Sequence, residues 1–176
     1  MQLPCSEELN IEYLGRLFDN TSECYKFFWF KAIVAKVTEG KQEISYEELV
    51  DEMIADAWYM VTEYHLNLGP KDTLGAVVNL IKQKYPELKS CEKKTEILDL
   101  LKNTQDRDIN SKKRTLTYNV PYRLQSPFMP SMKGKEWDVS ESNLIAKINQ
   151  EQRLMYYFTA LNGLSISIIV NDDWAN

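Results

Sequence analysis

The stretch Asn20–Lys36, NTSECYKFFWFKAIVAK, places four aromatic residues in succession between lysines. Aromatic and aliphatic side chains cover most of the circumference of the helix that this stretch would form, and such a helix is usually buried among others. A membrane span needs about 20 consecutive apolar residues, and three lysines interrupt a much shorter run here. The stretch therefore predicts a core helix of a soluble domain, rather than a membrane anchor or an aromatic ligand box.

Apolar residues at helical spacing predict further helices around this stretch. Thr21 or Ser22 is expected to cap the aromatic helix, and Gly40 is expected to end it. Ser45 and Glu48 have the spacing of a capping box at the start of the next helix. Pro70 suits the first turn of another helix. The predicted flanking helices cover residues 8–18, 45–64, 73–85 and 90–103.

The C-terminal part of the chain mixes irregular, strand-like and helical patterns. The segments 114–120, RTLTYNV, and 164–170, LSISIIV, are β-rich and predicted to pair as two strands. A helix is predicted after Ser140 through residue 161, and Asn171 is expected to cap a last helix. The predicted fold is therefore mainly α, a multi-helix bundle around a buried aromatic helix, with a small two-stranded β element in the C-terminal half.

The length of 176 residues suits one domain with three parts. Residues 1–104 form the helical core, residues 105–139 a basic, proline-containing irregular or β segment, and residues 140–176 a helix and short strand that complete the same domain. The N-terminus lacks the basic flank and apolar run of a signal peptide, which predicts a cytoplasmic protein without membrane attachment.

Cysteine and histidine content argues against a metal or cofactor site in this chain. The cysteines Cys5, Cys24 and Cys91 are odd in number and far apart, which disfavours disulfides and thiolate zinc sites. His65 is the only histidine, so a histidine-rich metal site cannot be assembled. No cofactor is therefore predicted for these residues.

Charge is unevenly distributed along the chain. Residues 1–64 carry thirteen acidic and five basic side chains, whereas residues 65–135 carry fourteen basic and seven acidic ones. The remaining residues carry six acidic and two basic side chains. Such asymmetry indicates either a nucleic-acid-binding face or two faces that attract each other within the fold.

Common catalytic motifs are missing from the sequence, including the nucleophile elbow, the Walker A loop and the zincin motif. One interpretation makes the chain a metal-dependent nuclease, with Glu87, Lys89 and the upstream Asp72 as its catalytic residues. In some nucleases carboxylates hold Mg²⁺ and a lysine helps to position the attacking water. So short a motif also occurs easily by chance.

Basic and aromatic residues alternate between Lys102 and Phe128. Lysine and arginine neutralise phosphates, and aromatic faces stack on exposed bases. The alternative is a solvated basic loop whose tyrosines pack on the core. The candidate nucleic-acid-binding residues are Lys102, Arg107, Lys112, Lys113, Arg114, Tyr118 and Arg123.

Three strings resemble the N-terminal region of bacterial HNH endonuclease-domain proteins: FDNTSECYKFFWFKAIV at 18–34, ISYEELVDEMIADAWY at 44–59 and NVPYRLQSPF at 119–128. The resemblance implies a downstream HNH module, in which histidines and an asparagine hold a divalent metal ion. None of those residues can be matched to this chain, so no catalytic residue and no activity of its own are expected.

The resemblance implies a non-catalytic N-terminal domain that contributes to DNA engagement or regulation of a putative HNH-type endonuclease. The expected partners are DNA and a downstream nuclease domain. The rival interpretation is a protein-interaction or dimerisation module that binds no nucleic acid.

Overall fold

The computed structural model describes residues 11–19, 24–69, 71–132, 134–151, 153–159 and 166–175. Within these ranges the chain is mainly helical with a small antiparallel sheet, so the predicted fold class is confirmed. The helices are α1 (Ile11–Gly15), α2 (Tyr25–Thr38), α3 (Tyr46–Thr62), α4 (Thr73–Lys84), α5 (Lys94–Asn103), α6 (Arg107–Thr115), α7 (Val120–Arg123), α8 (Glu141–Ile148) and α9 (Asp172–Ala175).

The centre of the bundle is α3 rather than the aromatic helix α2. Helix α3 packs against α2, α4 and α5, and most of its residues are buried. Helix α2 buries one face, which includes Trp29 and Ile33, while Phe27 and Val34 are exposed. The aromatic run therefore lies in the core on one side and at the surface on the other.

Several predicted helix ends are confirmed. The hydroxyl of Ser45 accepts the backbone N–H of Glu48 at 3.2 Å, and the Glu48 carboxylate accepts the Ser45 N–H at 3.0 Å. Gly40 has φ +82° just after α2, and its N–H donates to the carbonyl of Val37. The amide oxygen of Asn171 accepts the N–H of Asp173 at the start of α9.

The sheet differs from the predicted strand pair. In the described part of the chain it consists of β1 (Glu43–Ser45), β2 (Tyr156–Phe158) and β3 (Ser167–Val170), in the order β1-β3-β2. Strand β3 pairs antiparallel with both neighbours, and β1 comes from the N-terminal half of the chain.

The segment RTLTYNV is not a strand, and no described residue between 105 and 139 belongs to a strand. Asp106 caps α6 by accepting the backbone N–H groups of Asp108 and Ile109. Ile109, Lys113 and Leu116 are buried at helical spacing. Burial of one face of a helix therefore outweighs the short alternation of apolar and polar residues that predicted a strand. Further along the segment the chain forms α7 and the 3-10 turns Ser126–Phe128 and Gly134–Trp137.

The helix predicted after Ser140 ends much earlier than expected. The side chain of Asn149 donates to the carbonyl of Phe158 at 2.7 Å and accepts its N–H at 2.9 Å. This two-way contact turns the chain back after α8, and residues 156–158 join the sheet instead of continuing the helix.

Some predictions fall on residues outside the described ranges: the start of the first helix at 8–10, the caps at Thr21 and Ser22, and the role of Pro70. In the described part of the chain, no helix combines the length and the apolar character that crossing a membrane requires.

Candidate anion-binding cleft

Lys113 is buried, which removes it from the predicted nucleic-acid surface. Its side chain is 0% exposed, and its ammonium lies 2.6 Å from Oδ1 of Asp51 and 3.6 Å from Oε1 of Glu47. Burial raises the pKa of Asp51 to about 6, although Lys113 acts to lower it. This lysine joins α6 to α3 and cannot contact a phosphate.

A second group of ion pairs joins α2 and α5 to α3. The buried Glu52 contacts Lys36 at 2.6 Å and Lys94 at 2.5 Å. Asp56 contacts the same Lys94 at 2.9 Å and Lys31 at 3.2 Å. Part of the cationic middle region is thus neutralised by the acidic N-terminal third. This agrees with the second interpretation of the charge asymmetry, in which two parts of the chain attract each other within the fold.

The other predicted binding residues lie at the surface in two groups. Lys102, Arg107 and Lys112 are exposed on α5 and α6 but line neither of the two cavities described below. Arg114, Tyr118 and Arg123 are also exposed, and these three line one or both cavities. The seven predicted residues therefore do not share a single cavity.

The first cavity lies between the start of α2, the loop before α4 and helix α7. It has a volume of about 620 Å³, and the charged side chains among its described lining residues are Lys26, Lys71 and Arg123, which are basic, and Asp19, which is acidic. Asp19 is also engaged by Arg16, with 3.6 Å between the nearest nitrogen and oxygen. This cavity therefore concentrates positive charge from three separate parts of the chain.

The cations in this cavity are close enough to affect each other. Partial burial lowers the pKa of Lys26, the neighbouring charge of Arg123 lowers it further, and Asp19 opposes both effects. Like charges held together repel, and an anion between them relieves that repulsion. Among the described residues no carboxylate lies within ion-pair distance of the Lys26 ammonium.

The Tyr25 hydroxyl shapes one wall of the cavity. It donates to the carbonyl of Lys71 and accepts the backbone N–H of Thr73. These contacts tie the start of α2 to the loop that carries Lys71, so the two lysines come from segments that are joined to each other.

A second cavity of about 440 Å³ adjoins the first and shares Asn119, Arg123 and Trp137 with it. It adds Arg114 and the exposed Tyr118. Among its described lining residues, two carboxylates, Asp138 and Glu141, balance two arginines. By these residues the second cavity is formally neutral, and it is more aromatic than the first.

Lys26 and Lys71 were missed by sequence reasoning. Each stands alone in its segment, and Lys26 belongs to the aromatic stretch that was interpreted as core. No pattern in the sequence marks either lysine as part of a binding site. Lys26 comes close to Arg123 only because α2 packs against α7.

The enzyme interpretation based on Asp72, Glu87 and Lys89 is wrong. Asp72 caps α4 by accepting the N–H of Gly75, while Glu87 lies beyond the opposite end of that helix. A helix of this length separates its ends by about 18 Å, too far for two ligands of one metal ion. In the described ranges, no three histidine, cysteine or acidic side chains are grouped so that they could hold a metal ion.

No protein-family model, curated protein or solved structure matches this chain. The fold and cavities define a mainly helical domain with a cationic cleft. The resemblance to the N-terminal region of HNH endonuclease-domain proteins stays a prediction.

Proposed function

We propose that this chain is a non-catalytic, cytoplasmic domain that binds DNA through the cleft formed by the two adjoining cavities. The observation that supports the proposal is the cavity in which Lys26, Lys71 and Arg123 converge, with Asp19 as the carboxylate among its described lining residues. Lysine and arginine in such an arrangement neutralise backbone phosphates and release counterions. Within the proposal, the chain serves an HNH-type nuclease module that supplies the metal ion and the chemistry.

The ion pair between Arg123 and Asp138 does not keep this arginine from a ligand. The nitrogen–oxygen distance is 3.2 Å, and both side chains are substantially exposed. Exposed ion pairs typically contribute about 0–1 kcal/mol. A phosphate can therefore replace Asp138 as the partner of Arg123 at little cost.

The test is a double substitution, Lys26→Gln with Arg123→Gln, assayed by fluorescence anisotropy with labelled duplex DNA over a salt series. Loss of both basic contacts to one phosphate is expected to weaken binding roughly tenfold or more at low salt and to reduce the salt slope by about one.

A matched control is Lys102→Gln with Lys112→Gln, which removes the same charge from exposed positions outside the cleft. It is expected to keep most of the affinity and of the salt slope. Equal loss in both double variants would show that general charge, and not this cleft, accounts for binding. Absence of DNA binding by the unchanged chain at low salt would refute the proposal.

The second candidate function is self-association, which exposed apolar side chains on α2 favour. Phe27 and Val34 are exposed there, and an apolar groove of about 210 Å³ lies alongside between α2, α1 and α9. Exposed apolar surface of this kind often marks a protein interface.

Sedimentation equilibrium tests self-association through Val34→Glu, a change that places a charge in the groove. If the groove joins two copies, the unchanged chain dimerises as concentration rises, and the variant stays monomeric. Substitution of the exposed Val139 by Glu is the control at a site away from the groove. A chain that is monomeric at all concentrations would exclude this function.

A further inference from the structure

We infer that the two cavities together hold one nucleotide of a single strand, with its phosphate between Lys26 and Arg123 and its base against Tyr118 and Trp137. The inference rests on the proposed function and adds the form of nucleic acid that the cleft prefers. It follows from the way in which charge and aromatic surface are divided between the two cavities.

The first cavity is suited to the phosphate. Its described lining residues include three basic side chains and one carboxylate, so basic charge is in excess among them. Lys26 has no ion-pair partner among the described residues, and the charge of Arg123 acts on it. A phosphate supplies the negative charge that Lys26 and Arg123 need between them, and it accepts hydrogen bonds from both side chains.

The second cavity is suited to the base. The arginines and carboxylates among its described lining residues balance, so these residues give no net attraction for a second phosphate. Tyr118 is 63% exposed, which leaves a ring face free for contact. Aromatic side chains of this kind stack on bases of any sequence, because every base has a π-face.

Hydrogen bonds hold two further aromatic rings at the cavity wall. The indole N–H of Trp137 donates to the carbonyl of Met132 at 3.1 Å. The hydroxyl of Tyr122 donates to the carboxylate of Glu141 at 2.6 Å. Glu141 is therefore occupied by a protein donor. The Tyr122 ring is buried behind the wall, so among these two rings only the partly exposed Trp137 offers a surface to a ligand.

The geometry favours an unpaired base over duplex DNA. Arg123, Asn119 and Trp137 line both cavities, so a ligand can occupy the two at once. Cavities of about 300–1,000 Å³ usually enclose small ligands, and both volumes lie in this range. In a duplex the bases are stacked on one another, and a base reaches such a cavity only when it leaves the stack.

The experiment compares a labelled single strand of thymidines with a duplex of equal length, and with a single strand that carries abasic sites. The single strand is expected to bind roughly tenfold more tightly than the duplex, and abasic sites are expected to remove most of that preference. Tyr118→Ala is expected to weaken single-strand binding roughly five- to hundredfold without changing the salt slope.

Tyr64→Ala is the matched control, since Tyr64 is also 63% exposed but lies just after α3, away from the cleft. It is expected to leave both affinities unchanged. Equal binding of single strand, abasic strand and duplex, with Tyr118→Ala behaving as Tyr64→Ala does, would overturn the inference and leave the proposed function intact. If neither strand form binds, the proposed function itself fails.

Discussion

Replacement of Lys113 by methionine is expected to lower the free energy of unfolding by about 3 kcal/mol at about pH 7.5. The substitution keeps most of the apolar volume but removes the only charge within 3 Å of the buried Asp51 carboxylate among the described contacts. A buried carboxylate without a cation is costly, because neither water nor a partner compensates its charge.

The loss is expected to shrink at about pH 5. Burial raises the pKa of Asp51 from its ordinary 3.8 to about 6 in the folded chain. The folded state thus holds a proton that the unfolded chain releases, and the stability contributed by this proton is lost as pH rises through about 6. Below that pH the carboxyl is mostly neutral, so removal of Lys113 leaves less uncompensated charge.

Urea unfolding at both pH values measures the effect. Lys112→Met is the control, because the neighbouring Lys112 is exposed and its loss is expected to cost less than about 0.5 kcal/mol. The pair Lys113→Met and Asp51→Leu should recover most of the stability, since buried ion pairs are often replaced by apolar residues without loss. Equal stability of the Lys112 and Lys113 variants would contradict the buried pair.

Trp29→Ala is expected to lower the free energy of unfolding by about 3–5 kcal/mol. The Trp29 side chain is 0% exposed, and its ring meets that of Tyr46 edge to face with centroids 5.4 Å apart. Its removal opens a large cavity between α2 and α3, which the surrounding side chains can fill only in part.

Phe27→Ala is the control within the same aromatic run. Phe27 is 48% exposed, and its ring stacks on Phe18 with centroids 4.3 Å apart. Loss of this contact is expected to cost about 1 kcal/mol, which urea unfolding separates from the larger effect. Similar losses in both variants would mean that α2 does not bury one face as described.

Features that depend on neighbouring residues were predictable from sequence. The capping box of Ser45 and Glu48, the end of α2 at Gly40 and the cap at Asn171 all involve groups a few residues apart. The spacing of such groups is fixed by the helix itself, so the pattern predicts the contact.

The strand predicted at 114–120 and the long helix after Ser140 failed for a related reason. Their local patterns were compatible with two structures, and contacts outside those patterns selected the other one. Burial of Lys113 beside Asp51 keeps α6 helical, and the pairing of Asn149 with Phe158 ends α8. Asp51 lies far from α6 in the sequence, and the nine-residue spacing of Asn149 and Phe158 follows no helix or strand period.

Periodicity and short-range hydrogen bonds were enough to predict the mainly helical class, the helix of the aromatic stretch and several helix ends. Only the tertiary structure decided which of the adjacent lysines Lys112 and Lys113 is buried, and which cations line the cleft. Successive residues of a helix point about 100° apart, so packing assigns one to the core and the next to water. Lys26, Lys71 and Arg123 meet only because helices far apart in the chain pack together.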